Sequence, residues 1–413
     1  MKRDTFTPNL AARNAKGARW RLAFLAATAF SVLFLASLIA SIVNQSFGYV
    51  VMTAEVDPAT LQNDGVPLEK QDEATLAGTI RGNVSRRLFV KLDAERSLAS
   101  RSREELLEII VAEIVQPTVR RTWTLAQSLF DADAIRGQVA EEYPDGNLSF
   151  RSWVNAGLFA NPQSSVATAA GIRGAIIGSL ATLLLTLLVA FPLGVGAAIY
   201  LQEYAKDNAI NRIIETNIYN LAGVPSIIYG MLGLAIFVRA LEPLTSGAIF
   251  RAAAAEGANG RTILSASLTL ALLILPIVII NAQEALRAIP DSLRQSSLAV
   301  GATKWQTIRH HVLPAAADRI LTGTVLAVSR ALGETAPLVV VGASTFLTQD
   351  PAGPFSKFTT LPIQIYQWTA RPQAEFRNLA AAAILVLLVL GLSLNAAAII
   401  ARNRFRREKR LGR

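Results

Sequence analysis

Residues 320–349 read ILTGTVLAVSRALGETAPLVVVGASTFLTQ, and how they are read decides how many times the chain crosses a bilayer. A hydrocarbon core of about 30 Å takes roughly 20 apolar helical residues. This run is long enough, and only Arg330 and Glu334 interrupt it. An ionisable side chain at membrane depth is costly; it faces a bundle interior or an aqueous cavity and serves a pathway. Helical residues four apart share a face, so Arg330 and Glu334 can pair. One reading is a self-neutralised structural ion pair near a helix end. The other is a polar station on a transport path, favoured because the pair begins 10 residues into the run, where neither charge snorkels easily. Gly333 and Pro337 flank the pair and weaken the helix, as expected where backbone lines a cavity.

Five further runs are charge-free and long enough to span: Leu22 to Val43, Gly174 to Gln202, Thr216 to Val238, Thr262 to Gln283 and Asn378 to Ala401. With 52% hydrophobic residues, 17% charged and a mean hydropathy of +0.38, the 413-residue chain reads as an all-α membrane protein of six transmembrane helices. The first run could instead belong to a cleaved signal peptide, but its 22 uncharged residues exceed the roughly 7 to 15 of such a region.

Lysine and arginine collect in cytoplasmic tails and short loops. Placing both tails inside puts 20 basic residues in the inner tails and loops against 6 in the opposite short loops. The termini, 1–21 and 402–413, are therefore expected to be cytoplasmic basic tails of a protein of the cell membrane. The net charge of +10 then has a topological cause, and no nucleic-acid partner is implied.

Several chemistries are short of material. The chain has no cysteine and two histidines, the neighbours His310 and His311, which point to different helical faces. Disulfides, thiolate zinc sites and cysteine nucleophiles are excluded, and no metal or cofactor is expected. GATKWQT does not fit the G-x-x-x-x-G-K-[ST] phosphate loop, so the chain is not expected to hydrolyse ATP.

Residues 44–165 form the one extramembrane segment long enough to fold, a mixed α/β insert expected outside the cell membrane, opposite the tails. EELLEIIVAEIV (104–115) and Thr122 to Glu142 read as helix, while TIRGNVSRRLFVKL (79–92) alternates more like a strand. Asn161 to Ala170 reads as a linker. The insert is either a structural or partner-docking unit or a ligand sensor.

Within the expected five-helix core, 172–401, proline and close glycines mark FPLGVGAAIY (191–200) and GVPSIIYGMLG (223–233). Guanidinium suits bidentate contact with phosphate-like oxygens, which makes Arg330 the natural anion ligand; Glu334 would hold it when the site is empty. Ser226, Tyr229 and Thr335 offer hydrogen bonds either to a passing substrate or to neighbouring helices. The long loop 284–318 is amphipathic. A break at Gly301, with Leu293, Leu298 and Val300 before it and Trp305 and Ile308 after it, predicts two short helices ending at Pro314. Such a unit docks in a partner's groove, or lies on lipid headgroups with Lys304 and Trp305 as anchors.

That loop resembles the coupling motif of ATP-binding-cassette importer permeases: EAA, three residues, Gly, nine residues, Ile, any residue, Leu-Pro. Gly301, Leu313 and Pro314 keep the spacing; Gln295, Ser296 and Ser297 replace the triplet, and His311 the isoleucine. With NLAGVPSIIYG (220–230) and SRALGETAPLVVVGA (329–343), residues 172–400 resemble the A-type permease of the phosphate-specific importer. The resemblance implies a type I permease fold, phosphate passage at Arg330 and Glu334, and a coupling role for Gln295, Ser296, Ser297, Gly301, Lys304, Leu313 and Pro314. It also implies a second permease, two cytoplasmic ATPases and a periplasmic phosphate-binding protein. The large insert departs from shorter family members. Sulfate and molybdate remain open as substrates, because arginine recognises any of these dianions. A membrane sensor also has an external domain between helices, but here no large cytoplasmic output domain follows.

Overall fold

Helix α1 (Leu10–Ser46) is apolar on every side, and Phe24, Leu25, Phe30 and Leu33 are all exposed, as suits a helix facing lipid. The computed structural model describes residues 9–411 apart from 55, 57, 62–65, 69, 70, 96, 116, 251–258, 345 and 348. Of the expected basic tails, residues 1–8 and 412–413 lie outside the described residues. The remainder is almost wholly helical, extending α1 at one end and the last helix at the other.

No loop separates the first helix from the insert, for α1 passes at Ser46 straight into β1 (Phe47–Thr53). Next come α2 (Glu73–Asn83), α3 (Arg86–Glu95), α4 (Arg103–Ile110), β2 (Thr118–Thr122), α5 (Leu125–Phe130), α6 (Ala132–Glu142), β3 (Asn147–Ser152) and α7 (Ala156–Ala160). The strands form an antiparallel sheet in the order β2-β1-β3. Side chains alternate across it. Val50 enters a core with Trp153, Trp368 and Phe376, while Val51 packs on the other side with Trp123, Ile135 and Val139. Trp368, Phe376 and Leu379 lie beyond the insert in sequence, so one sheet face is seated on the later part of the chain.

The expected strand at 79–92 is helical instead, split between α2 and α3. A four-residue spacing satisfies both the helical and the two-residue period, so Ile80, Val84, Leu88 and Leu92 mimic a strand. Leu76 and Ile80 in fact share a buried helical face with Leu106 and Ile110, and Val84 is the extended residue between the helices. The expected linker is irregular but not loose. Ala167, Ala170 and Ile172 are buried in the core that holds Val50 and Trp153.

The later helices are α8 (Arg173–Ile199, continued by a π turn, Tyr200–Tyr204), α9 (Ala209–Ala222), α10 (Ser226–Gly233, continued by a π turn, Leu234–Ala240) and α11 (Glu242–Thr245). They are followed by α12 (Ile263–Arg287), α13 (Asp291–Ala299), α14 (Lys304–Thr307), α15 (Leu313–Leu332), α16 (Ala336–Val341), α17 (Leu361–Thr369) and α18 (Ala374–Leu411). Five helical stretches among the described residues are long and apolar enough to cross a membrane: Leu10–Ser46, Arg173–Tyr204, Ile263–Arg287, Lys304–Leu332 and Ala374–Ile400. The α9 and α10 stretches pass the same test only together, as a bent pair with the form of a broken span or a re-entrant loop. Helix α12 is the most buried of them and packs against α8, α9, α10, α15 and α16.

Two expected spans change shape. The run Thr216–Val238 is no straight helix: α9 and α10 meet at 105°. Pro225 lacks the N–H that would continue α9 and pushes Val224 out of helical geometry. The run 320–349 ends as a helix at Leu332 and resumes only briefly in α16, which stops at Gly342 in the left-handed region, φ +103°. Its span starts earlier instead. The second loop helix does not stop at Pro314 but runs from Lys304 through a π turn, Ile308–Val312, into α15. Pro314 sits inside this continuous helix just after the π turn, where the shifted backbone hydrogen bonding accommodates a residue without an N–H.

Candidate functional site

Arg330 occupies the last turn of α15, where helix-end carbonyls favour a cation. Its carbonyl accepts the Gly333 N–H at 3.1 Å as the helix closes. Glu334 lies past that end, so the pair spans a helix break rather than one continuous helical face. Arg330 Nε is 3.4 Å from Glu334 Oε1; the guanidinium side chain is 47% exposed and the carboxylate 15%. A weakly paired, half-open guanidinium can exchange its carboxylate for an arriving oxyanion. Thr335 is half-buried in the break, and its carbonyl accepts Val339 N–H as α16 begins.

Helix α10 lies alongside. A Cβ on Gly230 would come within 2.7 Å of Pro337 Cα, so α10 and α16 approach this closely only with glycine there. Ser226 is the first residue of α10 and half-buried. Tyr229 is buried, and its hydroxyl donates to the Leu221 carbonyl at 2.8 Å. Its proton braces the bend between α9 and α10.

Composition did not single out the polar contact next to Arg330 in sequence. Ser329 Oγ meets Asn395 Oδ1 of α18 at 2.5 Å and also donates to Val325 O at 2.9 Å. Asn395, a polar residue inside an otherwise apolar run, was the available signal. Arg319 lies 11 residues before Arg330, three helical turns or about 16 Å away on the same side of α15. A cavity of about 320 Å³ between α12 and α15 is lined there by Asn281, Glu284, Arg319, Thr322 and Leu326.

The 284–318 loop folds as a hairpin of α13 and the Lys304 helix. Gly301 takes φ +87° at its tip, and Ala302 N–H donates to Ser297 O at 3.3 Å. Ser297 is buried, its Oγ 2.9 Å from Thr307 Oγ1, which pins the two arms together. Gln295, Ser296, Leu298, Val300 and Trp305 are exposed, with Val300 at 85%. Lys304 Nζ lies 5.0 Å over the Tyr204 ring. Leu313 and Pro314 are half-buried where the arm enters α15. No cluster of three metal-ligating side chains occurs among the described residues.

Residues 190–407 match the family described as binding-protein-dependent transport system inner membrane component, which is more than half of the chain, and the protein belongs to that family. It is therefore a multi-pass inner-membrane permease component of an ABC transporter, a non-catalytic subunit of a kind that works with ATPase subunits and a binding protein. Relatives include the probable ABC transporter permease protein YqgI of Bacillus subtilis, 32% identical over 56% of this chain and 79% of its own length. The phosphate transport system permease protein PstA of Yersinia pestis is 34% identical over 58% of this chain and 74% of its own length. A chain of a bacterial alginate ABC transporter superposes with a TM-score of 0.44 at 16% identity, covering 76% of this chain and 96% of that one.

Proposed function

We propose that this chain is the A-type permease of an ATP-driven phosphate importer and that phosphate passes at Arg330 and Glu334. The observation that carries this reading is the loosely held, half-exposed guanidinium at a helix break, 3.4 Å from a largely covered carboxylate. A protonated oxyanion presents acceptors to the arginine and a proton to the glutamate. Relatives named for phosphate transport support the choice of ion. Ser226 and Thr335 add hydroxyls to the path, and the cavity at Arg319 continues it along α15. A second permease closes the open side of this face.

The basic bias of the tails and of the 284–318 loop supports cytoplasmic termini, with the insert in the periplasm beside a phosphate-binding protein. The exposed tip around Gly301, with Gln295, Ser296 and Lys304, docks a cytoplasmic ATPase dimer, while buried Ser297 braces the hairpin and Leu313 and Pro314 join it to α15. Closure of that dimer biases the bundle between inward- and outward-facing states.

Uptake of radiolabelled phosphate at limiting concentration tests the reading in assembled Arg330→Gln and Glu334→Gln variants. Uptake falling at least tenfold in both is expected. Normal uptake in both removes the path, and wild-type uptake suppressed by excess sulfate or molybdate reassigns the ion.

A further inference from the structure

The most enclosed ion pair among the described residues serves neither the Arg330 site nor the insert. Arg294 of α13 reaches Glu203 in the π turn that ends α8. Nη2 lies 2.7 Å from Oε1, and Nε lies 3.2 and 3.3 Å from the two carboxylate oxygens. The side chains are 17% and 6% exposed. The same guanidinium donates to Leu286 O at 3.0 Å and Ile289 O at 2.7 Å, at the end of α12, and to Asp291 Oδ1 at 3.2 Å. Hydrogen bonding to Glu203 raises the Arg294 pKa above the ordinary guanidinium value.

The neighbours of Glu203 are held from the loop as well. Arg287 Nη2 donates to Gln202 Oε1 at 3.4 Å, and Lys304 stacks on Tyr204. A buried ion pair is weak as a stabiliser, since desolvation offsets its attraction, but it fixes geometry. Here it joins parts 91 residues apart in sequence. The second arm of the hairpin already runs continuously into α15. With Arg294 clamped, its first arm grips α8, and a push on the tip reaches two spanning helices at once.

We propose that Arg294 and Glu203 are positioning residues for energy coupling: their ion pair makes the 291–307 hairpin and α8 one rigid lever that carries ATPase movement into the membrane. The proposal rests on the docking of an ATPase at the loop. The chain is free of cysteine, so two introduced cysteines are its only thiol labelling sites, and a transporter without them, labelled in parallel, reads any signal from the other subunits. Cysteines replacing Ser292, exposed on α13 away from the docking tip, and Leu193, exposed on α8, carry spin labels in the full transporter, whose distance is read with and without ATP and vanadate.

In the wild-type background this distance stays constant between nucleotide states, whatever the transported ion. With Arg294→Met it shifts or broadens, and phosphate taken up per ATP hydrolysed falls about tenfold while the ATPase still co-purifies. Arg294→Lys recovers part of the coupling, because an ammonium keeps the charge but cannot make the two-pronged contact. The exchanged pair Glu203→Arg with Arg294→Glu recovers less, because a carboxylate at 294 faces the Leu286 and Ile289 carbonyls and Asp291. A distance that changes equally in both backgrounds, or unchanged uptake per ATP in Arg294→Met, overturns the lever. So does failure of both Arg294→Met and Arg294→Lys to assemble, which makes the contact structural. Absence of any ATPase from the purified wild-type complex is failure of the docking reading and takes the lever with it.

Discussion

Ser329 and Asn395 join α15 to α18 by a 2.5 Å hydrogen bond one residue before Arg330. The contact ties the last turn of α15, which carries Arg330, to α18. Asn395→Leu removes a bond of about 1 kcal/mol. The expected outcome is phosphate uptake lowered roughly fivefold with normal assembly, measured in membrane vesicles. Unchanged uptake would show that α18 does not set the arginine's orientation.

Tyr229 separates bracing from substrate contact. In Tyr229→Phe the Leu221 carbonyl loses its 2.8 Å partner at the 105° bend. That carbonyl still accepts the Val224 N–H at 3.1 Å, so the loss is one net hydrogen bond of about 1 kcal/mol. The assembled transporter should therefore unfold at lower temperature while the KM for uptake stays put. A raised KM with unchanged thermal stability would place the hydroxyl on the path.

Gly301 stands in open space, with nothing within 4 Å of a built Cβ, so substitution there strains only the backbone at φ +87°. A β-branched residue resists this region at a cost of about 1–2 kcal/mol or more, whereas asparagine visits it readily. Gly301→Val is expected to distort the hairpin and separate ATP hydrolysis from uptake, and Gly301→Asn to retain most coupling. Equal coupling in both would show that the turn is not what the ATPase reads.

The insert is fastened by polar contacts as well as by its core. Thr122 Oγ1 donates to Asn378 Oδ1 at 3.1 Å, and Asn378 Nδ2 donates to Gln45 O at 2.6 Å. Asn378→Leu breaks both bonds and leaves the Gln45 carbonyl unpaired. Faster proteolysis within 44–165 is expected, with uptake reduced less than twofold. Cleavage as slow as in the wild type would mean that packing around Val50 and Phe376 suffices.

The Arg330–Glu334 pairing was legible because charge in an apolar run is conspicuous at any helical geometry. The break between the two residues was hinted at by Gly333 and Pro337, yet the reading of a single helical face missed it. Asn395 and Glu203 were harder to see. Their partners lie 66 and 91 residues away, and no local period connects them.

Apolar run length by itself located the membrane stretches, and lysine and arginine placement gave the expected orientation, because transfer from water to hydrocarbon is charged residue by residue along the chain. Folding decided the rest. The bend at Pro225, the seating of the sheet on Trp368 and Phe376, and the grip of Arg294 on Glu203 depend on which distant surfaces meet. Packing and hydrogen-bond satisfaction are settled between segments, and a linear reading holds no record of their encounter.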